Sequence, residues 1–587
     1  MKSWLYVVAT CLLFLGILAL HAPAADRAWT GGGDGRDWFD KNNWSPSDSY
    51  PLAGENVSIS NGASVILSNS TAVLGDFSLT NATLTFTNWT TALIASNVTV
   101  WTNGTMALPG AFQTGQMSNR VFILCTNFTL KAGGRIDANG KGFGQVTVNG
   151  AGPGPGGGKD DGNGYGTGAG YGGVGGCGYN AGAAGGISYG TANLPATPGS
   201  GGGSYSSGIW GRGGAGGGAV WIEASGTATV DGTVLANGTN GIAGGNGNHS
   251  GGGSGGGIYV TCGTLGGEGR ISANGGRGSG SGGGGGGGRV AVLYTSAAPG
   301  TRVSFSASPG TGWGDAQTNR LWFLYVAGMG TLYLSDASLL TSPLDARFTD
   351  VRVIIPNFTS WSFNNLTVSN AVLAIENTNS AFRLTVTNDL VIRDGAELTL
   401  CSAPLKKGVI SFAGAAGAGL TNPAVAVGAN LTLNGGSLVL GGGPPYLSGP
   451  LQQSKPELDV GGSLLVTNGG RLYVYGGLTN ATRAHGARIS VTGAVIIAPS
   501  SWIVPISQPT NGGSAVFRVG SLNVAAAGGV TADGRGYCAK YGLGKGSQPN
   551  YGGGGGYGGA GGRGTDATAY GGNPYGVSNA PVAPGSG

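Results

Sequence analysis

The chain has 587 residues, of which 126 are glycine and only 9% are charged, whereas about 25% of an ordinary globular domain is charged. Its formal net charge of +5 is spread without any run of five or more like charges, which speaks against a nucleic-acid partner. This composition suits a repetitive extracellular protein.

Residues 1–25 read as a signal peptide. Lys2 precedes the apolar run Leu5 to Leu20, and Ala22-Pro23-Ala24 offers small residues for cleavage after Ala24 or Ala25. Cys11 lies inside the run, and Thr10 before it does not suit a lipoprotein box. No later stretch reaches the ~18 apolar residues of a membrane helix. The mature chain is therefore expected to be secreted or held at the cell surface, without a membrane span.

Residues 26–120 are expected to hold an N-terminal cap and the first coils of a β-solenoid. The opening WTGGGDGRDWFDKNNW, Trp29 to Trp44, combines Asp34, Asp37 and Asp40 with three tryptophans. Calcium loops place oxygen ligands at alternate positions, whereas these carboxylates are three apart. Two readings stay open for Trp29, Trp38 and Trp44: an aromatic cap closing the first coil, or a surface on which sugar rings stack.

Residues 121–299 contain the clearest repeat, 20 residues long. VFILCTNFTLKAGGRIDANG begins at Val121 and returns as AVWIEASGTATVDGTVLANG from Ala219 and AVFRVGSLNVAAAGGVTADG from Ala515, aligned without gaps; a shorter copy runs from Gly257 to Gly275. Alternating apolar residues predict short strands, and the closing Asn-Gly or Asp-Gly predicts a sharp turn with positive φ. One such coil cannot bury its inner face, so the coils are expected to stack about 4.8 Å apart as an all-β parallel β-helix. Residues 300–510 continue in the same style with strand-turn-strand units such as Asn365-LTVSNAVLAI and Asn430-LTLNGGSLVL. Frequent glycine and β-branched residues without a 3.6-residue period exclude helix. The Asn-x-Ser/Thr triplets, such as Asn81-Ala82-Thr83, recur at turns and read as turn chemistry rather than glycosylation acceptors.

Long glycine-rich stretches interrupt the coils, about Gly142 to Gly218, Gly238 to Gly257, Gly275 to Gly288 and Gly534 to Gly587. They read either as disordered loops or as packed polyglycine-II-like helices. The second reading rests on the three-residue period of Tyr171-Gly-Gly-Val174-Gly-Gly-Cys177 and Tyr557-Gly-Gly-Ala560-Gly-Gly-Arg563. Residues 511–587 repeat the earlier module: Tyr189 to Gly201 has the spacing of Tyr575 to Gly587. Since the second copy breaks off in mid-repeat, a longer protein with further coils, a cap and a surface anchor is expected.

The residues offer little chemistry. Cys125, Cys177, Cys262, Cys401 and Cys538 lack the short paired spacings of a metal or redox site, although a disulfide among them is open. His249 and His485 stand apart from other ligand types and read as solvent-facing loop residues. Asp160-Asp161-Gly162-Asn163 is a polar turn, and Gly282 to Gly288 lacks the Lys-Ser or Lys-Thr of a phosphate loop. No cofactor, metal site or catalytic residue is assigned.

The WxGGGDGxxW…NW opening, the segment Pro51 to Ile59 and the strand-turn-strand units are similar to large bacterial secreted β-helix proteins of the autotransporter-passenger and adhesin-like kind. The resemblance covers most of the mature chain and implies a structural or adhesive cell-surface protein without catalysis. Its partners would be extracellular polysaccharide or cell-surface components. A carbohydrate-active β-helix enzyme, a lyase or hydrolase, and a glycan-binding surface protein are the alternatives. The enzyme would need carboxylates or a basic residue gathered on one face.

Overall fold

The computed structural model describes residues 25–112, 116–144, 150–160, 164–179, 184–204, 211–244, 249–312, 327–376, 381–401, 405–406, 409–410, 422–441, 455–480, 484–538, 540–547, 552–565, 569–579, 581 and 583–587. Nearly all of the expected signal peptide, and Asp161 to Asn163, lie outside them.

Alternation decides the local structure. Every second side chain of Ala82–Phe86 is buried, and the same period runs through Val121–Leu130 on either side of a bend. Val, Ile, Thr and Phe fit such a half-buried pleat. Among the described residues the helical element is the 3-10 turn Lys41–Asn43, and no helix is long and apolar enough to cross a membrane.

The strands stack in parallel. One row runs from Asp26–Trp29 through Asn56–Ile59, Leu74–Leu79, Leu93–Val100, Val121–Leu130, Ala219–Val230, Gly257–Gly266 and Arg289–Ala297 to Gly330–Leu334. Beside it run Ser64–Leu67, Ala82–Phe86, Gly104–Ala107, Arg135–Asp137, Thr233–Leu235, Arg270–Ser272 and Ser304–Ser306. Both rows meet at Phe348–Ile354, where Phe305 lies opposite Phe348 and Leu332 opposite Val353. From that junction one row continues through Val372–Glu376 to Gly529–Val530, while a separate parallel sheet starts at Ser360–Phe363 and ends at Ala515–Val524. The protein is thus all-β, with long parallel sheets that do not close into a barrel and are compatible with solenoid-like stacking.

In-register stacking builds the core. Val65, Leu84, Met106, Ile136, Val234, Ile271, Phe305 and Phe348 face one another in successive strands, each at most 1% exposed. Burying a side chain of this kind contributes about 1.5–3 kcal/mol. The ungapped repeat alignment holds only in part. Arg135 lies opposite Thr233 as aligned, but Phe122 pairs with Trp221 and, beyond a bulge, Phe128 with Ala228. A one-residue slip would turn every inward side chain outward, so burial, not the alignment, sets the register.

Polar ladders run along the bends. Asn97 Nδ2 donates to Asp76 Oδ1 at 2.7 Å, Asn127 Nδ2 to Asn97 Oδ1 at 2.8 Å, and the Thr227 hydroxyl to Asn127 Oδ1 at 2.9 Å. Asn81 and Asn103 occupy positive φ at successive corners, in keeping with turn chemistry. The Asn-Gly expectation needs correction. Gly140 and Gly534 have φ of 60° and 61°, but Gly238 and Gly275 are not in the left-handed region. There the preceding asparagine bridges layers: Asn237 Oδ1 accepts from the Asn274 amide at 2.7 Å and from the Ser272 hydroxyl at 2.8 Å.

The described glycine-rich segments of the first module are packed rather than loose. Gly168 N donates to Gly176 O, Gly176 N to Gly284 O, Gly214 N to Gly251 O and Gly285 N to Gly276 O, at 2.8 to 2.9 Å. These chains lie so close that a Cβ on Gly168, Gly172 or Gly251 would overlap the carbonyl oxygen of Gly284, Gly288 or Thr167. Close approach, not positive φ, is what requires glycine at these positions. Two arginines of the sheet hold this layer: Arg289 Nε donates to Tyr189 O at 2.8 Å and Arg352 Nη2 to Gly172 O at 2.7 Å. Both guanidinium groups are buried, and Arg352 is paired with Glu376 at 3.1 Å.

Candidate functional site

The three N-terminal tryptophans sit inside the end of the stack, with Trp29, Trp38 and Trp44 exposed by 9%, 0% and 1%. Trp44 meets Trp29 and Trp38 edge-on at 5.0 and 4.9 Å, and its Nε1 donates to Trp38 O at 2.7 Å. A sugar could stack on Trp38 or Trp44 only if the ring left the core. The neighbouring carboxylates serve their own loop. Asp34 Oδ1 accepts from the amides of Arg36 and Asp37 and from Asn43 Nδ2, at 2.9, 2.9 and 2.7 Å. Those amide bonds first, then Asn43, hold the Asp34 carboxyl below its ordinary range. Asp37 Oδ1 and Asp40 Oδ1 likewise accept from Phe39 N and Asn42 N, both at 3.0 Å.

Register creates a different aromatic surface. Phe122, Trp221 and Tyr259 occupy one outward-facing position in three successive strands, with centroid separations of 6.4 and 4.4 Å. Arg120 lies over this row, its guanidinium carbon 4.1 Å from the Phe122 centroid, 5.1 Å from that of Trp221 and 5.3 Å from that of Trp89. Arg120 Nε donates to Trp89 O at 2.8 Å, and Trp221 Nε1 to Glu223 Oε1 at 2.7 Å. All four rings are half-buried. Desolvation lowers the Arg120 pKa and raises that of Tyr259. The row therefore combines π faces, a cation and one carboxylate, a set that binds amphipathic rings. The sequence held a signal for it, since Phe122, Trp221 and Tyr259 follow Val121, Val220 and Ile258. The ungapped alignment concealed it by setting Phe122 against Val220.

Charged side chains also converge around Arg488. Arg488 Nη2 bonds Glu457 Oε2 at 2.9 Å, and Arg488 Nη1 bonds Asp459 Oδ1 at 3.0 Å. Asp459 also lines a shallow groove with Thr385, Thr387, Ser490 and Thr492. The Arg488 bond holds the Glu457 pKa down. That shift is the reverse of what a proton-donating carboxyl needs.

Other charged groups pair within their own layers, Arg27 with Glu55 at 2.9 Å and Asp345 with Arg347 at 2.8 Å. His249 is partly buried and stacks on Tyr165 at 5.9 Å. His485 is half-buried too, and its pKa is lowered by desolvation and by Lys455, Arg518 and Arg488. Neither matches the solvent-facing expectation. Cys125, Cys177, Cys262 and Cys538 are free thiols, and burial pushes Cys125 up to about 12 and Cys262 up to about 11. Among the described residues no three His, Cys, Asp or Glu side chains gather as a metal site. In comparisons with known proteins, no family model, no curated protein and no solved structure matches the chain.

Proposed function

We propose that this is an exported structural and adhesive protein of the cell surface or extracellular matrix, a parallel β-helix that holds glycan chains along the aromatic row Trp89, Phe122, Trp221 and Tyr259. The carrying observation is that row: Phe122, Trp221 and Tyr259 brought into register from strands far apart in sequence, with Trp89 joined to them through Arg120, on a stack whose core runs unbroken from Trp29 to Ile503. Sugar rings present apolar C–H faces and hydroxyl edges, which suit ring faces flanked by Arg120 and Glu223. The parallel pairing of strands one repeat apart supports the β-helix reading, and the laterally bonded glycine segments support a polyglycine-II-like layer on its flank.

The test is binding without turnover. The purified chain should retain a polysaccharide on a glycan array or in affinity electrophoresis, and Trp221→Ala should weaken retention at least tenfold while leaving the melting temperature nearly unchanged. Equal retention by Trp221→Ala would refute the assignment to this row.

A second reading, a carbohydrate-active enzyme, draws on the Glu457–Asp459–Arg488 cluster. Glycoside hydrolysis needs one protonated and one ionised carboxyl across the scissile bond, whereas both carboxylates here are bonded to the same guanidinium. Release of reducing or unsaturated sugar ends that is abolished by Glu457→Gln would favour this reading over the first.

A further inference from the structure

The aromatic row runs further along the stack than its touching rings. Beyond Tyr259 the same outward position is held by Ala291, then by Tyr333 and Ile354. Each of the five positions from Phe122 to Tyr333 sits between inward neighbours that are at most 1% exposed, such as Ile258 and Val260 beside Tyr259 or Leu332 and Leu334 beside Tyr333. They therefore form one line across successive strands. With strands about 4.8 Å apart, its four spacings make a track about 19 Å long. Tyr333 and Ile354 are half-buried like the rings before them, whereas Ala291 is fully covered.

The glycine layer forms a wall beside this track. It covers the outward position two residues earlier in three of the strands: a Cβ on Gly257 would meet Pro195 O and Thr197 O at 2.5 and 2.6 Å, Arg289 Nε donates to Tyr189 O, and Arg352 Nη2 donates to Gly172 O. On the other side, two residues later, stand the half-buried Leu124, Glu223, Thr261 and Leu293. The rings thus lie along a step, with packed backbone on one flank and a mixed apolar and polar shoulder on the other. Charge along the step is balanced. Arg120 and Glu223 have opposite signs, and beyond Ile354 the line meets Glu376, which is paired with Arg352 at 3.1 Å.

Resting on the glycan reading above, we propose that the step takes one class of glycan: a neutral, unbranched, extended chain of equatorially linked hexopyranoses, of the β-1,4 gluco type. Straightness carries the argument. An extended chain keeps successive sugars on one line, and its unit length is close to one strand spacing of about 4.8 Å, so consecutive sugars meet consecutive positions. Equatorial linkage leaves axial C–H groups on both faces of each sugar, which suit the ring faces of the track, while the hydroxyl edge reaches Glu223 and Thr261. A coiled, α-linked chain leaves such a line after one or two units, and a branch runs into the glycine wall. An acidic chain meets Glu223 and Glu376, with Arg120 as the one cation of the track in its favour.

The experiment measures binding of the full chain by calorimetry to β-1,4-linked gluco-oligosaccharides of two to six units, with α-1,4-linked and uronic-acid oligomers of equal length for comparison. Affinity should rise at least tenfold from two to five units, level off at six, and exceed that for either comparison series at least tenfold. Because the ligand is neutral, added salt should change it less than about twofold. Tyr333→Leu keeps an apolar side chain but removes the ring, so it should lower hexasaccharide affinity about fivefold and disaccharide affinity less, and Tyr333→Phe should restore both. Absence of binding in all three series, or equal binding by Trp221→Ala, would overturn the glycan reading and this inference with it. Binding that ignores chain length, is as tight for the α-linked or acidic series, or is indifferent to Tyr333→Leu would overturn this inference alone. So would dimerisation in sedimentation that Tyr333→Leu abolishes, which would make a second copy the occupant of the step.

Discussion

The two copies of the repeat-plus-glycine unit share a sequence pattern and an internal hydrogen-bond pattern, yet one is interior and the other is surface. Around Tyr171 the glycines are buried and bonded to strands that enter the chain about a hundred residues later, whereas around Tyr557 the bonds among the described residues stay within the module. The module therefore folds on itself through local pairing, and its neighbours supply burial. A glycine's importance follows from what lies beside it, so equivalent positions should respond differently to the same substitution.

The largest difference is expected in the core. Phe128→Ala removes a fully buried ring and should destabilise the protein by about 3–5 kcal/mol, while the equivalent Leu522→Ala should cost less than about 1 kcal/mol; urea unfolding monitored at two wavelengths separates them. Similar losses would show that the Ala515 strand is covered in solution. The glycine pair comes next. Gly172→Ala, whose methyl would overlap Gly288 O, should cost about 1–3 kcal/mol or more, and Gly558→Ala should stay within about 0.5 kcal/mol of the parent.

The clamp between sheet and glycine layer should give a smaller effect. Arg352→Met removes the donor to Gly172 O and leaves Glu376 without its ion-pair partner, which should cost about 1–3 kcal/mol. Hydrogen exchange should then quicken in residues 168–176 and stay unchanged in residues 554–562, which have no such clamp among the described residues. An equal change in both modules would mean that the arginine supports the whole stack rather than its glycine layer.

The smallest effect concerns pH. Glu457 has its folded pKa lowered by Arg488, so the pair contributes stability that is fully present above the ordinary carboxyl value of 4.5 and is lost as pH falls through the lower folded value. Both side chains are about one-third exposed, so solvent screening keeps the contribution small. The melting temperature should drop slightly more between pH 5 and pH 3 in the parent than in Glu457→Gln. No difference would leave the pair without a share in stability.

Much of the strand layer was legible because alternation of Val, Ile, Leu and Thr needs only local sequence. The shared spacing of the glycine modules was legible too, and Tyr189 and Tyr575 make matching bonds to Pro198 and Ser200 and to Pro584 and Ser586. The aromatic row was not, because bulges at Ala224 shift the register and because Phe122 and Trp221 are separated by an entire glycine module. The tryptophan opening suggested either a cap or a sugar platform, and only the ring packing distinguishes buried edges from open faces.

By itself the sequence determined the all-β character, the repeat unit and where glycine must be abundant, since these follow from side-chain period and backbone freedom. Tertiary structure alone decided the rest: which asparagines turn the chain and which bridge layers, which glycines are irreplaceable, and which aromatics face outward. Each of those depends on the distance to a neighbouring strand, and that strand can lie a hundred residues away. The same dependence separates the Ala515 unit from its interior twin: among the described residues its strand pairs on one side alone.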